Sequence, residues 1–190
     1  MFLILDTETT SVASSARIVS ICWLICDEQG QEVFTRHYII KPDGFSSLPG
    51  AIAKHGITNK IAEELGIPIK QALTRLYTAI NESPFHFCVG HNLKFDLDVV
   101  VSEYERLGAR ENLSRIPRFC TMRETRHLCG LRNANGGFKQ PTLQELHHFL
   151  FEQDYAPVHD AVADARACAR CFFELDRRGL VTRPLTLAYA

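Results

Sequence analysis

The sequence predicts an α/β protein built on one mixed β-sheet. Three β-rich segments come first, at residues 2–6, 18–26 and 33–40, and the turn-prone residues 27–30 join the last two into a hairpin. In the second half of the chain, short apolar segments alternate with stretches of helical periodicity. Antiparallel strands followed by strand–helix units are typical of a mixed sheet with helices packed on it.

The remaining elements follow from apolar spacing and from the residues that end helices. Two further strands are expected, a short buried one at 87–90 and an edge strand at 118–122. The predicted helices cover residues 51–55, 67–80, 96–107, 142–151 and about 160–178. A glycine directly follows three of these helices, and Pro68 lies in the first turn of another.

Length and composition indicate a single folded domain. The chain has 190 residues, of which 46% are hydrophobic and 23% charged, the proportions of an ordinary globular protein. We expect residues 1–178 to form the domain and residues 179–190 to form a C-terminal tail. The formal net charge is -1, so a nucleic-acid partner has to be inferred from local charge rather than from the total.

Cysteine usage and the start of the chain favour a cytoplasmic protein. The seven cysteines are an odd number, and they are scattered through predicted core segments rather than regularly spaced. Such a set is typical of free thiols in a reducing compartment. The chain opens without a basic signal segment, and its longest apolar stretch, residues 18–26, is too short to span a membrane.

Three polar clusters lie at the ends of predicted strands or the starts of predicted helices. Asp6 and Glu8 end the first strand, where residues two apart point to the same face. Asp96 follows the fourth predicted strand. His159 lies just before the last predicted helix, and Asp164 lies one turn inside that helix. Open α/β sheets place their sites at the carboxyl ends of strands, and carboxylate oxygens bind Mg²⁺ or Mn²⁺. A neutral imidazole beside them could deprotonate a water.

Each cluster also has a purely structural interpretation. The two acids after the first strand could be solvated loop residues. Asn92, Asp96 or Asp160 could cap the free backbone N–H groups of the helices that they precede. His91 is interpreted as a structural residue rather than a catalytic one.

The motifs DTETT at 6–10, HNLKFD at 91–96 and HDAVADA at 159–165 together resemble the DEDDh 3′-5′ exonucleases. This is the group of the proofreading subunit of bacterial DNA polymerase III, and the resemblance runs from residue 2 to about 175. It implies a ribonuclease H-like mixed sheet flanked by helices. It also implies the following catalytic set, in which the four acids hold two Mg²⁺ or Mn²⁺ ions and the histidine is the general base: Asp6, Glu8, Asp96, Asp164 and His159.

The resemblance extends to residues that contact the substrate. AKHGIT at 53–58 is similar to the family's HGI segment, in which the histidine lies near the terminal nucleotide. On this basis Thr9, His55 and Asn92 are the expected substrate-binding residues. Helix capping and loop packing are the structural alternatives for His55 and Asn92.

The implied activity is metal-dependent 3′-5′ hydrolysis of single-stranded or frayed DNA, with release of nucleoside 5′-monophosphates. DTETT resembles the proofreading branch more than the DLEMT of oligoribonucleases, which favours DNA. A 3′-5′ exoribonuclease of the ribonuclease T or oligoribonuclease type stays open. A non-catalytic nucleic-acid binding module is the lesser alternative, because it would be expected to lack at least one of the five catalytic residues. A polymerase or a second copy of the chain stays open as a protein partner.

Local charge is consistent with a nucleic-acid partner. Residues 115–139, called the basic segment below, contain six basic residues and one acid, a net charge of +5, which leaves -6 for the rest of the chain. Such a segment could follow a phosphate backbone, or it could be an unevenly charged solvated face. The catalytic motifs favour the first interpretation.

Overall fold

The computed structural model describes residues 1–156 and 159–182, which form a five-stranded sheet with helices on both faces. The strands are β1 (Phe2–Thr9), β2 (Ile18–Cys26), β3 (Glu32–Ile39), β4 (Phe87–Gly90) and β5 (Arg118–Cys120). The helices are α1 (Pro49–His55), α2 (Asn59–Leu65), α3 (Ile69–Glu82), α4 (Leu93–Arg106), α5 (Thr121–Glu124), α6 (Leu143–Phe151) and α7 (Ala161–Arg177). A short 3₁₀-helix, Leu113–Arg115, precedes β5.

The sheet is mixed, as the sequence predicts. Its strand order is β3-β2-β1-β4-β5. β1 pairs antiparallel with β2 and β2 with β3, whereas β4 runs parallel to β1 and β5 runs parallel to β4. Because β1 and β4 are parallel neighbours, their carboxyl ends lie at the same edge of the sheet, and the residues that follow them are brought together there.

Alternate side chains of β1 face two separate cores. Leu3 and Leu5 pack with residues of α3 and α4 on one face, whereas Phe2 and Ile4 pack with residues of α6 and α7 on the other. Burial on both faces explains why β1 has a continuous apolar run instead of an alternating pattern. The ring of Phe172 in α7 lies 5.1 Å from the ring of Phe2, measured between centroids, and this contact fixes α7 against β1.

Several element boundaries differ from the predicted ones, and three of these differences lie near the polar ends of the strands. β1 continues past Asp6 to Thr9, because the backbone of its polar end still pairs with β2. α4 begins at Leu93, three residues earlier than predicted, after Asn92 adopts a left-handed conformation with φ 68°. β5 ends at Cys120, where the chain turns directly into α5.

The sequence does not predict α2. Thr58 caps this helix, since its Oγ1 accepts a hydrogen bond from the backbone N of Ile61 at 3.1 Å. Ala62 is its buried residue, so the helix has no apolar stripe from which helical periodicity could be recognised.

The end of α7 lies close to the domain boundary predicted at residue 178. The backbone N of Leu180 donates to the carbonyl of Leu175 at 2.9 Å, and Val181 packs on the core that α6 and α7 share with β1. Residues 183–190 of the predicted tail lie outside the described residues, so the boundary stays a prediction. Among the described residues, no helix is long and apolar enough to cross a membrane.

Candidate active site

Two carboxylates project from the end of β1 on the face that packs on α7. Asp6 and Glu8 stand two residues apart in the strand and pair with Cys22 and Ser20 of β2, so both side chains lie on this face. The pairing register shifts immediately after Glu8, where the strand is about to end. These acids therefore belong to the ladder of the central strand and are not solvated loop residues.

α4 brings Asp96 to the same edge of the sheet. Asp96 lies in the first turn of α4 and is 4% exposed. Its Oδ1 accepts hydrogen bonds from the backbone N (3.0 Å) and the Oγ1 (2.7 Å) of Thr7 in β1. A Cβ at Gly90, the last residue of β4, would lie 3.1 Å from the carbonyl oxygen of Leu5. The glycine thus allows the start of α4 to approach β1 closely.

Both carboxylate oxygens of Asp164, at the start of α7, accept hydrogen bonds. Asp160 caps this helix, as the structural interpretation proposed, because its Oδ1 accepts from two backbone N–H groups of the first turn (3.1 and 2.9 Å). One turn further, Oδ2 of Asp164 accepts from the backbone N of His159 (3.0 Å), and Oδ1 accepts from the hydroxyl of Tyr155 (2.7 Å). The carboxylate therefore has a fixed orientation.

His159 has a backbone conformation that non-glycine residues rarely adopt. Its φ is 60°, in the left-handed region, and this turns its N–H toward Asp164 while the residue itself is exposed. Glu8, His159 and Asp164 each present a potential ligand atom, and these atoms lie within 4.8 Å of one another. The three groups are close enough to act on one cation or one water.

Two other structural interpretations can be judged from the contacts. Asn92 occupies the N-cap position of α4 but makes no side-chain capping bond, so capping does not explain it. His91 is held between two elements: its Nδ1 lies 3.0 Å from Oγ1 of Thr121, and its Nε2 lies 3.0 Å from the carbonyl oxygen of Pro141. Burial lowers the pKa of His91 to about 4, which keeps the ring neutral. These contacts agree with a structural role for His91.

Burial raises the pKa values of the four carboxylates, and the other acids of the cluster raise those of Asp6 and Glu8 further. Burial, followed by the charges of Asp96 and Asp164, raises the pKa of Asp6 well above its usual range. Burial and the same two neighbours raise the pKa of Glu8 to about 7, and Lys54 opposes this shift. Burial raises the pKa of Asp96 to about 7 although its bonds to Thr7 favour the charged form, and burial also raises the pKa of Asp164. Four acids so close together need positive charge to ionise at neutral pH.

The donor set fits hard divalent cations. Carboxylate oxygens are the ligands that Mg²⁺ and Mn²⁺ prefer, and they come here from β1, α4 and α7. Oδ2 of Asp6 is buried and has no hydrogen-bond partner among the described residues, which is costly for a carboxylate unless a cation contacts it. Asp6 therefore has an oxygen available for a metal.

A cavity of about 580 Å³, called the first cavity below, opens over the carboxylates. Every site residue expected from the sequence lines it, namely Asp6, Glu8, Thr9, His55, Asn92, Asp96, His159 and Asp164. α1 forms one wall, and Val12, Leu48 and Phe95 contribute apolar surface. A volume in this range suits a small ligand of nucleotide size.

Two of the three expected substrate-binding residues, Thr9 and His55, use their side chains in local hydrogen bonds. Oγ1 of Thr9 donates to the carbonyl of Ser11 at 2.7 Å, so this hydroxyl shapes the loop after β1. Nδ1 of His55 accepts from the backbone N of Ile57 at 3.1 Å, while its buried Nε2 has no hydrogen-bond partner among the described residues. Burial lowers the pKa of His55. The backbone of Thr9 also lies near this imidazole and opposes the shift, so His55 is positioned against the end of β1.

The sequence analysis did not identify three residues of this site. Tyr155 orients Asp164, but a lone tyrosine in a loop gives no recognisable signal. Lys54 lies near Glu8, and Phe95 lines the first cavity. Both belong to segments that the sequence analysis had singled out, so they could have been found by asking which other residues of AKHGIT and HNLKFD face the site.

The basic segment runs through β5 and α5 and then forms a loop whose arginines contact the loop's own backbone. Nε of Arg126 donates to the carbonyl of Phe138 (2.9 Å), and an Nη of Arg132 donates to the carbonyl of Gly136 (3.0 Å). The guanidinium of Arg132 lies 3.8 Å from the centre of the Phe138 ring. Each guanidinium has five N–H donors, so these loop contacts leave most of the donors free.

The raised carboxylate pKa values predict how stability depends on pH. Glu8 has an ordinary pKa of 4.5 and a folded-state pKa of about 7. The folded protein therefore binds more protons than the unfolded chain between these values, and this residue's contribution to the free energy of unfolding falls as pH rises from about 4.5 to 7. Glu8→Gln should match the wild-type melting temperature at pH 5 and exceed it by several degrees at pH 8, both measured in EDTA.

Mn²⁺ should reverse this difference. With the ion added at pH 8, the wild type should gain more melting temperature than Glu8→Gln, because a carboxylate ligand binds the cation better than an amide does. Thermal scans by circular dichroism provide both measurements. Equal melting temperatures of the two proteins at every pH in EDTA would contradict the charge crowding described for Glu8.

Comparisons with known proteins agree with this arrangement. The RNase_T family model, described as exonuclease, matches residues 3–172. No curated protein sequence matches the chain. The described sheet and helices match the exonuclease fold of the ribonuclease H-like type, so the predicted fold is confirmed.

Several solved structures share this fold at low sequence identity. Escherichia coli exonuclease I in complex with a 5cy-dT13 oligonucleotide matches with a TM-score of 0.76 and 21% identity, over 93% of this chain and 40% of that one. The zinc-bound form of the E. coli exonuclease I–single-stranded DNA complex matches with a TM-score of 0.74 and 20% identity, over 93% and 40% of the two chains. Exonuclease X in complex with 5′ overhanging duplex DNA matches with a TM-score of 0.64 and 23% identity, over 96% and 95%. The chain thus spans about two fifths of exonuclease I but nearly all of exonuclease X.

Proposed function

Because the chain belongs to the RNase_T exonuclease family, we propose that it is a metal-dependent 3′-5′ exonuclease that removes nucleotides from single-stranded or frayed DNA. The observation that carries the proposal is the convergence of four carboxylates and one histidine in a cavity of nucleotide size. Nucleoside 5′-monophosphates are the proposed products. The DNA-bound states of exonucleases I and X support DNA as the substrate.

In this proposal, Asp6, Glu8, Asp96 and Asp164 hold two divalent cations. Mg²⁺ or Mn²⁺ is proposed rather than zinc, because an all-oxygen donor set suits hard cations, whereas zinc sites usually include nitrogen or sulfur. When bound, the two ions would polarise the attacking water and stabilise the departing 3′ oxygen. Thr7 and Tyr155 keep two of the carboxylates in place through the hydrogen bonds described above.

His159 is proposed to take the proton from the attacking water. It lies at the exposed side of the carboxylates, within reach of Glu8 and Asp164. Its backbone N–H donates a hydrogen bond to Asp164, and this bond holds the backbone from which the imidazole side chain projects. His55 and Asn92 line the other part of the first cavity and are proposed to contact the terminal nucleotide, with the apolar side chains of Leu48 and Phe95 beside its base.

Two properties of the whole chain complete the proposal. Residues 1–178 are proposed as the catalytic unit, with residues 179–190 as a tail. All seven cysteines are free thiols, and five of them are buried, which fits a reducing environment and favours the cytoplasm.

The state of the 3′ end provides the test of this function. A base that is still paired has to be unpaired at a cost of a few kcal/mol before its nucleotide can enter the first cavity. With Mg²⁺ present, the protein should shorten 5′-labelled single strands and mismatched 3′ ends faster than fully paired ends, and it should leave a circular single strand intact. RNA strands of the same sequence, assayed in parallel, test the exoribonuclease alternative.

Two results would contradict the proposal. Cleavage of the circle at the rate of the linear strand would indicate an endonuclease that uses the same carboxylates. Binding of single strands without any shortening, under conditions in which Mn²⁺ raises the melting temperature, would favour the non-catalytic binding module.

A further inference from the structure

A cavity of about 480 Å³ lies between α3 and β3, the strand at one edge of the sheet, and is called the α3 cavity below. Trp23 of β2 lines it. Trp23 pairs with Leu5 of β1, and both side chains belong to the core that β1 shares with α3 and α4. Asp6 and Glu8 project from the opposite face of β1. The sheet therefore separates the α3 cavity from the candidate active site.

Two exposed arginines line the α3 cavity, each beside an aromatic ring. The guanidinium carbon of Arg36 lies 3.9 Å from the centre of the Phe34 ring. The guanidinium carbon of Arg75 lies 5.1 Å from the centre of the Tyr38 ring, and an Nη of Arg75 donates to the Tyr38 hydroxyl at 2.8 Å. These contacts restrict the positions that the two positive charges can take.

The two guanidinium groups have most of their donors free. Within residues 1–156 and 159–182, neither contacts a carboxylate, and Arg36 donates only to the backbone carbonyl of Thr35, at 2.9 Å. Each guanidinium has five N–H donors. By contrast, Arg166 and Arg177 each bind a carboxylate through two nitrogens. The positive charge at the α3 cavity is therefore available to an anion, and a guanidinium pairs well with a phosphate.

Other polar groups of the wall also lack partners. Trp23 is fully buried, and its Nε1 has no acceptor among the described residues, although a buried indole N–H usually has one. Thr78 of α3 is exposed at the cavity, and its hydroxyl makes no hydrogen bond within the part of the chain that the structure describes. The wall thus contains hydrogen-bonding groups that a polar ligand could use in addition to the two positive charges.

The sign of the charge changes along the α3 side of the cavity. Arg75, Thr78 and Glu82 all line it, and their spacing places them on one face of the helix. The rise of an α-helix separates the first from the last by about 10 Å. Glu82 would repel a second phosphate but accepts hydrogen bonds. The cavity therefore suits a ligand with one anionic end and one end that carries hydrogen-bond donors.

We propose that the α3 cavity is a second nucleotide site, which binds a nucleoside monophosphate. The phosphate contacts Arg36 and Arg75, and the hydroxyl or amino groups of the nucleoside face Glu82. The cavity volume suits a ligand of this size. This site goes beyond the proposed function, which assigns no role to this face of the sheet. The proposed function would supply the ligand as its product, and only the origin of the ligand rests on it.

The fluorescence of Trp23, the one tryptophan of the chain, tests this site. The full chain is titrated with thymidine 5′-monophosphate, thymidine, inorganic phosphate or a thymidine hexanucleotide. EDTA is present so that no metal bridges a phosphate to the carboxylates, and calorimetry in the same buffer measures affinity independently of emission. We expect saturable binding of the monophosphate with a change in emission. Thymidine and phosphate should bind roughly ten-fold more weakly, because each has only one of the two ends.

Two results of these titrations would overturn the proposal. The first is the absence of saturable monophosphate binding by either measurement. The second is binding of the hexanucleotide without binding of the monophosphate, which would assign the α3 cavity to a strand. Neither titration involves hydrolysis, so failure here is distinct from failure of the exonuclease function, which the assay of linear and circular strands tests.

Variants test whether the two arginines hold the phosphate. Arg36→Gln and Arg75→Gln should each weaken monophosphate binding roughly ten-fold, because each loses a charge-assisted contact. The matched control is Arg177→Gln, which should keep the wild-type affinity, because Arg177 lies on α7 at the other face of the sheet and pairs with Glu174. Melting temperatures show that the variants are folded. Wild-type affinity in both cavity variants would overturn the proposed site.

Discussion

Asp164→Ala and Asp6→Ala should each abolish nucleotide release in the presence of Mg²⁺ or Mn²⁺. Each change removes a carboxylate that comes from a different element and faces the same centre. Without that ligand, the proposed pair of cations loses its geometry. Excess EDTA should have the same effect on the wild type.

Stability distinguishes loss of a ligand from loss of the fold. Asp6 lies among like charges, and one of its buried oxygens has no hydrogen-bond partner among the described residues, so replacing it removes repulsion and a desolvation cost. In EDTA at pH 8, Asp6→Ala should therefore melt at or above the wild-type temperature although it is inactive. Asp98→Ala is the matched control, because Asp98 is exposed on α4 and pairs with Lys94 at the surface.

Activity assays of the three variants test whether the carboxylates hold a catalytic metal. Release of nucleotides from an end-labelled oligonucleotide should be undetectable for both site variants and unchanged for Asp98→Ala. Wild-type rates in excess EDTA, or in a folded Asp164→Ala protein, would show that these carboxylates do not hold a catalytic metal.

The carboxylate cluster could be predicted because it depends on features that short sequence patterns record. Asp6 and Glu8 directly follow an apolar run, and Asp96 follows a second one, so the positions at two strand ends are visible in the sequence. Only the parallel pairing of β1 with β4 was needed to bring them together. Asp164 required one more contact, the packing of α7 on β1.

Other parts of the site depend on packing between distant segments. A further cavity of about 590 Å³ exists because the chain around residues 122 and 140–144 closes against Tyr155 and the start of α7, which no local pattern indicates. The left-handed conformation of His159 is also not encoded in residue type, since most non-glycine residues avoid it. α2 was not predicted because most of its residues are solvated, so its sequence has almost no apolar periodicity.

His159→Ala should lower kcat by roughly two to four orders of magnitude, the usual contribution of a general base. KM should change much less, because His159 is proposed to act on the attacking water and not to bind the strand. Only a neutral imidazole accepts a proton, so the wild-type kcat should rise with pH, and the variant should lose most of that rise. Saturating Mn²⁺ is needed, because Glu8, with a pKa of about 7, otherwise adds its own pH dependence.

The backbone of His159 makes a second substitution necessary. Alanine is unfavourable at φ 60°, so His159→Ala could disturb the hydrogen bond from this backbone to Asp164 as well as removing the imidazole. Asparagine adopts the left-handed conformation more readily, so His159→Asn preserves the backbone while it removes the base. If the imidazole is the base, both variants should be equally slow, and His148→Ala, at an exposed histidine of α6, should keep the wild-type rate. Recovery of wild-type kcat in His159→Asn would mean that residue 159 acts by holding Asp164, and that the water is deprotonated by another group.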